Sequence, residues 1–205
     1  GGAGSSGIVW AYNTSTGQMS TLYAFQANNN PADGAAPMGG VIGPFSSSIN
    51  NDSFYLLGTT EYGGNNNCSG GAGCGTVFAI TVSLSSQGQT VTETQLHAFT
   101  GPDGAYPVSG LTSASGGAWG TAMQGGPAFY VPTGTGGDGT LFEIQITSHI
   151  TYTTLTYVPV SYFLGYPADG ANPATGLGAD SAGNLYGMTS SGGANAAGAL
   201  FKLVP

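Results

Sequence analysis

One pattern recurs along this chain, and it restricts the possible folds more than any other feature. A glycine followed by a short run with a central aromatic appears as GIVWAY from Gly7, GTVFAI from Gly75, GTLFEI from Gly139 and GALFKL from Gly198, at spacings of 68, 64 and 59 residues. The first three copies lead into a second run that ends on an aromatic: TLYAF at Phe25, TQLHAF at Phe99 and LTYVPVSYF at Phe163. A turn-like segment follows, as PADGAAP, GPDGAYP and PADGANP, containing Asp33, Asp103 and Asp169. A further run and a glycine pair close each copy, read here as FYLLGTTEYGG, FYVPTGTGG and NLYGMTSSGG. Self-similarity at such a period marks an array of supersecondary units, each burying a face against its neighbour.

Each landmark has a physical reading. GTVFAI and its copies send alternate side chains to two faces, the period-2 signature of a half-buried strand. Asp-Gly with Pro three residues on predicts a turn, in which Asp caps the backbone, Gly takes positive φ and Pro delays the next strand. Asp33, Asp103 and Asp169 are therefore read as turn formers. No stretch keeps a 3.6-residue apolar period, so the expectation is an all-β chain of about four short strands per unit.

Charge excludes several partners. Only Lys202 carries a fixed positive charge against nine acidic residues, for a formal net charge of −8. Phosphate neutralisation therefore has almost nothing to work with, and nucleic acid is excluded as a partner. No apolar run is long enough for a membrane span, so membrane insertion is not expected. The Gly- and Ser-rich loop NCSGGAGC can bring Cys68 and Cys74 within the roughly 4.4–6.8 Å between Cα atoms that a disulfide needs. With no other Cys and only two distant His, a disulfide is expected rather than a metal site or free thiols. Disulfide and neutral surface together predict a secreted, extracellular or cell-surface protein. Asn13, Asn51 and Asn67 begin N-x-S sequons and are the candidate glycosylation positions.

The succession of LYGTT-like run, glycine pair, Cys-bearing loop, GTVF-like run, L-x-x-F run and DG-x-x-P turn resembles the GloVer-type tandem repeat of secreted, surface-associated bacterial proteins. The residues that carry it are Leu57 to Phe78 with Cys68 and Cys74, Leu96 to Leu111, and Asp169 to Leu203. The resemblance implies a β-propeller-like array: a single domain over residues 1–205 with repeats near 7–74, 75–138 and 139–197 and an extra strand at 198–205. Three units are fewer than the roughly four to eight blades of closed propellers. A pseudo-threefold, β-trefoil-like barrel is the alternative fold.

No constellation for catalysis emerges. Glu61, Glu93 and Glu143 occupy unrelated repeat positions, and His97 and His149 lack partners at triad or zinc spacing. No cofactor or metal is expected. Most aromatics fall on repeat positions and read as core. Tyr62, Tyr106, Trp119 and Tyr166 lie off those positions and are the candidates for exposed ligand contact. The expectation is a non-catalytic extracellular structural protein, the self-assembling subunit of a surface layer or filament. Four copies of the GTVF-like strand against three of the rest suggest terminal strand addition, with residues 8–12 or 199–203 pairing with another copy. A carbohydrate-binding or adhesive module that takes glycans is the alternative.

Overall fold

The structure, a computed structural model, describes residues 6–26, 33–47, 52–65, 68–130, 135–149 and 153–205. β1 (Ile8–Asn13) and β2 (Gln18–Ala24) form an antiparallel hairpin. β3 (Gly34–Ala35) follows the first DG turn, then β4 (Ile42–Ser46), β5 (Ser53–Thr60), β6 (Tyr62–Gly63), β7 (Thr76–Ser85) and β8 (Gly88–Ala98). β4, β5, β7 and β8 make an antiparallel four-stranded sheet in that order, while β3 pairs with β6 just beyond the end of β5. The pattern recurs in β9 (Thr112–Ala114), β10 (Gly117–Ala122), β11 (Phe129–Tyr130), β12 (Thr135–Gly136), β13 (Thr140–Ser148) and β14 (Thr153–Tyr162). Here β9, β10, β13 and β14 build the sheet, and β11 and β12 form a separate small hairpin. In the last sheet β15 (Gly170–Pro173) and β16 (Gly178–Ala179) share one edge of β17 (Leu185–Gly192), and β18 (Ala199–Leu203) lies on the other. Among the described residues the sole helical segment is a 3-10 turn at Ser69–Gly71.

The molecule is thus all-β, built from antiparallel sheets that do not close into a barrel. The sheets stack in series, and three apolar clusters lie between successive members. Val9 and Phe25 of the first hairpin pack on Phe78, Ile80 and Val82. Leu57, Val77, Ala79 and Phe99 pack on Ala118, Phe142 and Ile144. Trp119 and Leu141 pack on Leu177, Leu185 and Phe201. Strand alternation makes this possible: in β7, Phe78 faces the preceding unit while Val77 and Ala79 face the following one.

Two features of the repeat become physical here. The strand-leading glycine seats on the proline of the next DG-x-x-P turn. A Cβ added at Gly7, Gly75 or Gly139 would lie 2.3, 2.6 or 2.4 Å from Cδ of Pro37, Pro107 or Pro173. All three glycines have φ near +100°, so close approach and backbone conformation both demand Gly. The residue before each proline, Ala36, Tyr106 or Asn172, has φ of 54–57° in the left-handed region, and its N–H donates to the carbonyl of Ser6, Cys74 or Asp138.

One alignment is corrected. FYVPTGTGG is not the second copy of FYLLGTTEYGG. The equivalent strand is β10, in AWGTAMQGG at Ala118–Gly126, because Gly120 pairs with Phe142 as Gly58 pairs with Phe78 and Gly187 with Phe201. In each case the absent side chain makes room for the phenylalanine ring, which a Cβ would meet at 2.4–2.5 Å. The segment containing FYVPTGTGG lies between the glycine pair and the strand-leading Gly139, where the first unit has its Cys-bearing loop, and supplies the paired strands β11 and β12.

Candidate functional site

A polar node recurs where each outer strand runs into its DG turn. Asp33 accepts the N–H of Gln26 at 2.7 Å, Asp103 that of Thr100 at 2.8 Å and Asp169 that of Leu164 at 2.6 Å. Each donor directly follows the aromatic that ends the outer run, so the carboxylate ties strand exit to turn. The residue two before that aromatic is Tyr23, His97 or Ser161. Tyr23 donates its hydroxyl to Asp33 Oδ2 at 3.1 Å, and His97 Nε2 lies 2.7 Å from Asp103 Oδ2.

The adjacent unit completes the first two nodes. Glu93, paired with Ile80, and Tyr157, paired with Ile144, occupy equivalent register positions. Burial first, then Asp33, pushes the Glu93 carboxyl up to about 7. Burial and the same carboxylate push the Tyr23 hydroxyl above the ordinary tyrosine range. Tyr157 stacks flat on His97, with centroids 3.6 Å apart and planes within 2°, and donates to the Asp103 carbonyl at 3.1 Å. Burial pushes the Asp103 carboxyl up, but hydrogen bonds from His97 and Thr100 outweigh it and hold the group below its usual range. His97 thus has a partner that its sequence neighbourhood did not point to: Asp103, six residues on, folds back across the turn. The first two nodes tie adjacent units together, and at the second the Thr100 hydroxyl also donates to Asp103 Oδ1 at 2.8 Å.

At the third node, Ser161 and Asp169 line an open groove of about 540 Å³ together with Asp103, Tyr162 and Leu164. No described strand lies outside β18, where the equivalent of Glu93 or Tyr157 would sit. A second groove, of about 230 Å³, runs beside β1, lined by Val9, Trp10, Pro37, Val41 and Phe78.

The four aromatic candidates do not converge. Trp119 is buried between the last two units, with its Nε1 donating to the Ala114 carbonyl at 3.1 Å, and Tyr106 is also buried. Their expected exposure is corrected. Trp119 occupies the repeat position of Leu57 and Tyr186, hidden by the misaligned copy, and Tyr106 is the residue before proline in its turn. Tyr62 is half-buried edge-on to Tyr106, whereas Tyr166 is exposed. Cys68 and Cys74 form a disulfide with Cα atoms 5.0 Å apart. Asn13 is exposed at the first hairpin turn, its Oδ1 accepting the N–H groups of Ser15 and Thr16. Asn51 and Asn67 lie outside the described residues. Asp180, which the repeat pattern did not single out, caps its own turn. Hydrogen bonds from the Asn184 side chain, the Tyr186 hydroxyl and the backbone hold its carboxyl at about 2.

Among the described residues no group of three or more His, Cys, Asp or Glu could hold a metal ion, and no helix is long and apolar enough to cross a membrane. A family model described as the Gloeobacter/Verrucomicrobia repeat matches residues 1–201. No curated protein and no solved structure matches the chain.

Proposed function

This chain belongs to the Gloeobacter/Verrucomicrobia repeat family, and from that premise we propose that it is a non-catalytic, extracellular structural protein that assembles with copies of itself into a surface layer or filament. We take its sheets to be units of a propeller-like array rather than of a trefoil, because they stack face to face in series. The observation that carries the reading is a pair of sheet edges. Among the described residues no strand pairs with β1 on the side away from β2, and none with β18 on the side away from β17. Each leaves an open strand edge, and the apolar groove beside β1 lies where an inner strand would sit. Open edges are templates for pairing with another chain, and pairing two different edges head to tail gives rings or open filaments. The disulfide and the low surface charge suit an oxidising, extracellular setting. Amide hydrogen exchange tests strand addition. Assembly should protect residues 8–12 or 199–203 relative to dissociated protomers, and unchanged exchange at both edges would remove it.

A second reading has its own observation. The groove beside Asp103, Ser161, Tyr162 and Asp169 offers ring and carboxylate contacts of the kind that hold sugars, with exposed Tyr166 one residue from Pro167 of the same turn. Glycan-array binding by monodisperse protomers would favour this reading over assembly.

A further inference from the structure

The repeat shows what each sheet face requires, because the chain's own internal interfaces display the same positions covered. On the face directed at the following unit, four equivalent positions are Leu57, Thr59, Val77 and Ala79 in the first four-stranded sheet, and Trp119, Thr121, Leu141 and Glu143 in the second. In the last sheet they are Tyr186, Met188, Leu200 and Lys202. Val77 is 0% and Leu141 4% exposed beneath their neighbours, whereas Leu200 is 74% exposed. On the face directed at the preceding unit, Phe78 and Ile80, or Phe142 and Ile144, correspond to Trp10 and Tyr12 of the first hairpin. Phe78 is 1% exposed and Trp10 54%. Met19, at the position of Glu93 and Tyr157, is exposed beside them.

We propose that these two faces mate between copies of this chain, the Met188–Leu200 face of one protomer stacking on the Trp10–Tyr12–Met19 face of the next as successive units stack within a protomer. The inference rests on the assembly reading and adds to it: side-chain faces, not only backbone edges, carry the contact. Three observations specify the occupant as a second copy. The internal interfaces pair these same two kinds of face, aliphatic residues of one unit against an aromatic of the next. The aromatic face presents Trp10 and Tyr12, the larger equivalents of Phe78 and Ile80, to a partner face that presents Met188 and Leu200, neither of them branched at Cβ. The only cation of a chain with formal net charge −8 also lies on the Leu200 face, where Lys202 Nζ sits 5.5 Å from the Tyr186 ring centre. Stacking brings that charge against a second aromatic face on an acidic partner. The contact is heterologous, so copies add in one direction, closing to a ring or continuing as a filament.

Sedimentation of the full chain at rising concentration, with Leu200→Glu and Trp10→Glu made separately, tests this directly. Both side chains are exposed and outside the internal clusters, so thermal unfolding should match the parent; should either glutamate lower it, Leu200→Ser and Trp10→Ser replace them. The parent is expected to sediment as multi-protomer species and each variant as single protomers. An equimolar mixture of the two variants should form a species of two protomers and nothing larger, since one variant retains each face. Variants that assemble as the parent does, or a mixture that fails to pair, would overturn face stacking and leave strand addition standing. A parent that stays monomeric would remove the assembly reading itself.

Discussion

Glu93 is the side chain whose surroundings most alter its chemistry. It lies half-buried between the first hairpin and the first four-stranded sheet, and its carboxyl titrates near 7 because burial and then Asp33 disfavour ionisation. A carboxyl raised above its unfolded value stabilises the fold fully below that unfolded value and loses the contribution as pH climbs through the folded one. Stability should therefore fall as pH rises from about 5 to about 8, by on the order of 1 kcal/mol once solvent screening of a half-exposed group is allowed for. Glu93→Gln should flatten that slope in unfolding midpoints measured across the range; an unchanged slope would place the titration elsewhere. At Gly139 the demand is steric. Its φ is +103° and Pro173 Cδ stands 2.4 Å from the position of a Cβ. Gly139→Ala should cost roughly 1–3 kcal/mol in denaturant unfolding, and a neutral result would mean that the proline seat yields.

Elements follow from these residues. The disulfide closes a loop of sequence separation 6 between β6 and β7, on the exit from the glycine pair. Gly63 N–H donates to the Ala72 carbonyl inside that loop, and Tyr106 N–H donates to the Cys74 carbonyl from the next unit. Paired Cys68→Ser and Cys74→Ser should lower stability by about 2–3 kcal/mol in the loop-entropy picture, with faster amide exchange at 72–76 as the local readout. Full stability in the double variant would show that the hydrogen bonds alone hold the loop. Most strands were legible because glycine, aromatic and DG-x-x-P landmarks recur with period-2 alternation between them. What misled was FYVPTGTGG, whose aromatic pair and glycines mimic the closing run but form a side hairpin. The true copy, AWGTAMQGG, carries Trp119 and Ala122 where its counterparts have Leu57 or Tyr186 and Thr60 or Thr189, so side-chain identity hid a shared backbone role. His97 and Asp103 escaped for a different reason: their contact depends on a turn folding back, which spacing alone does not reveal.

At the scale of the whole molecule, the repeat seen in the sequence and the unit seen in space are out of phase. The first four-stranded sheet takes β4 and β5 from one sequence repeat and β7 and β8 from the next, so the DG turn passes the chain between sheets rather than closing one. That phase shift ties each unit covalently to its neighbour, while Trp10 and Leu200 face outward. Folding should depend on nearest-neighbour interfaces, as in other serial arrays. The same interface chemistry, offered at both ends, is what the assembly account rests on. Electron microscopy of the purified chain at assembling concentration tests that account most directly. Ordered rings, layers or fibres with a repeat set by one protomer are the predicted result; a field of separate, single protomers under the same conditions would contradict it.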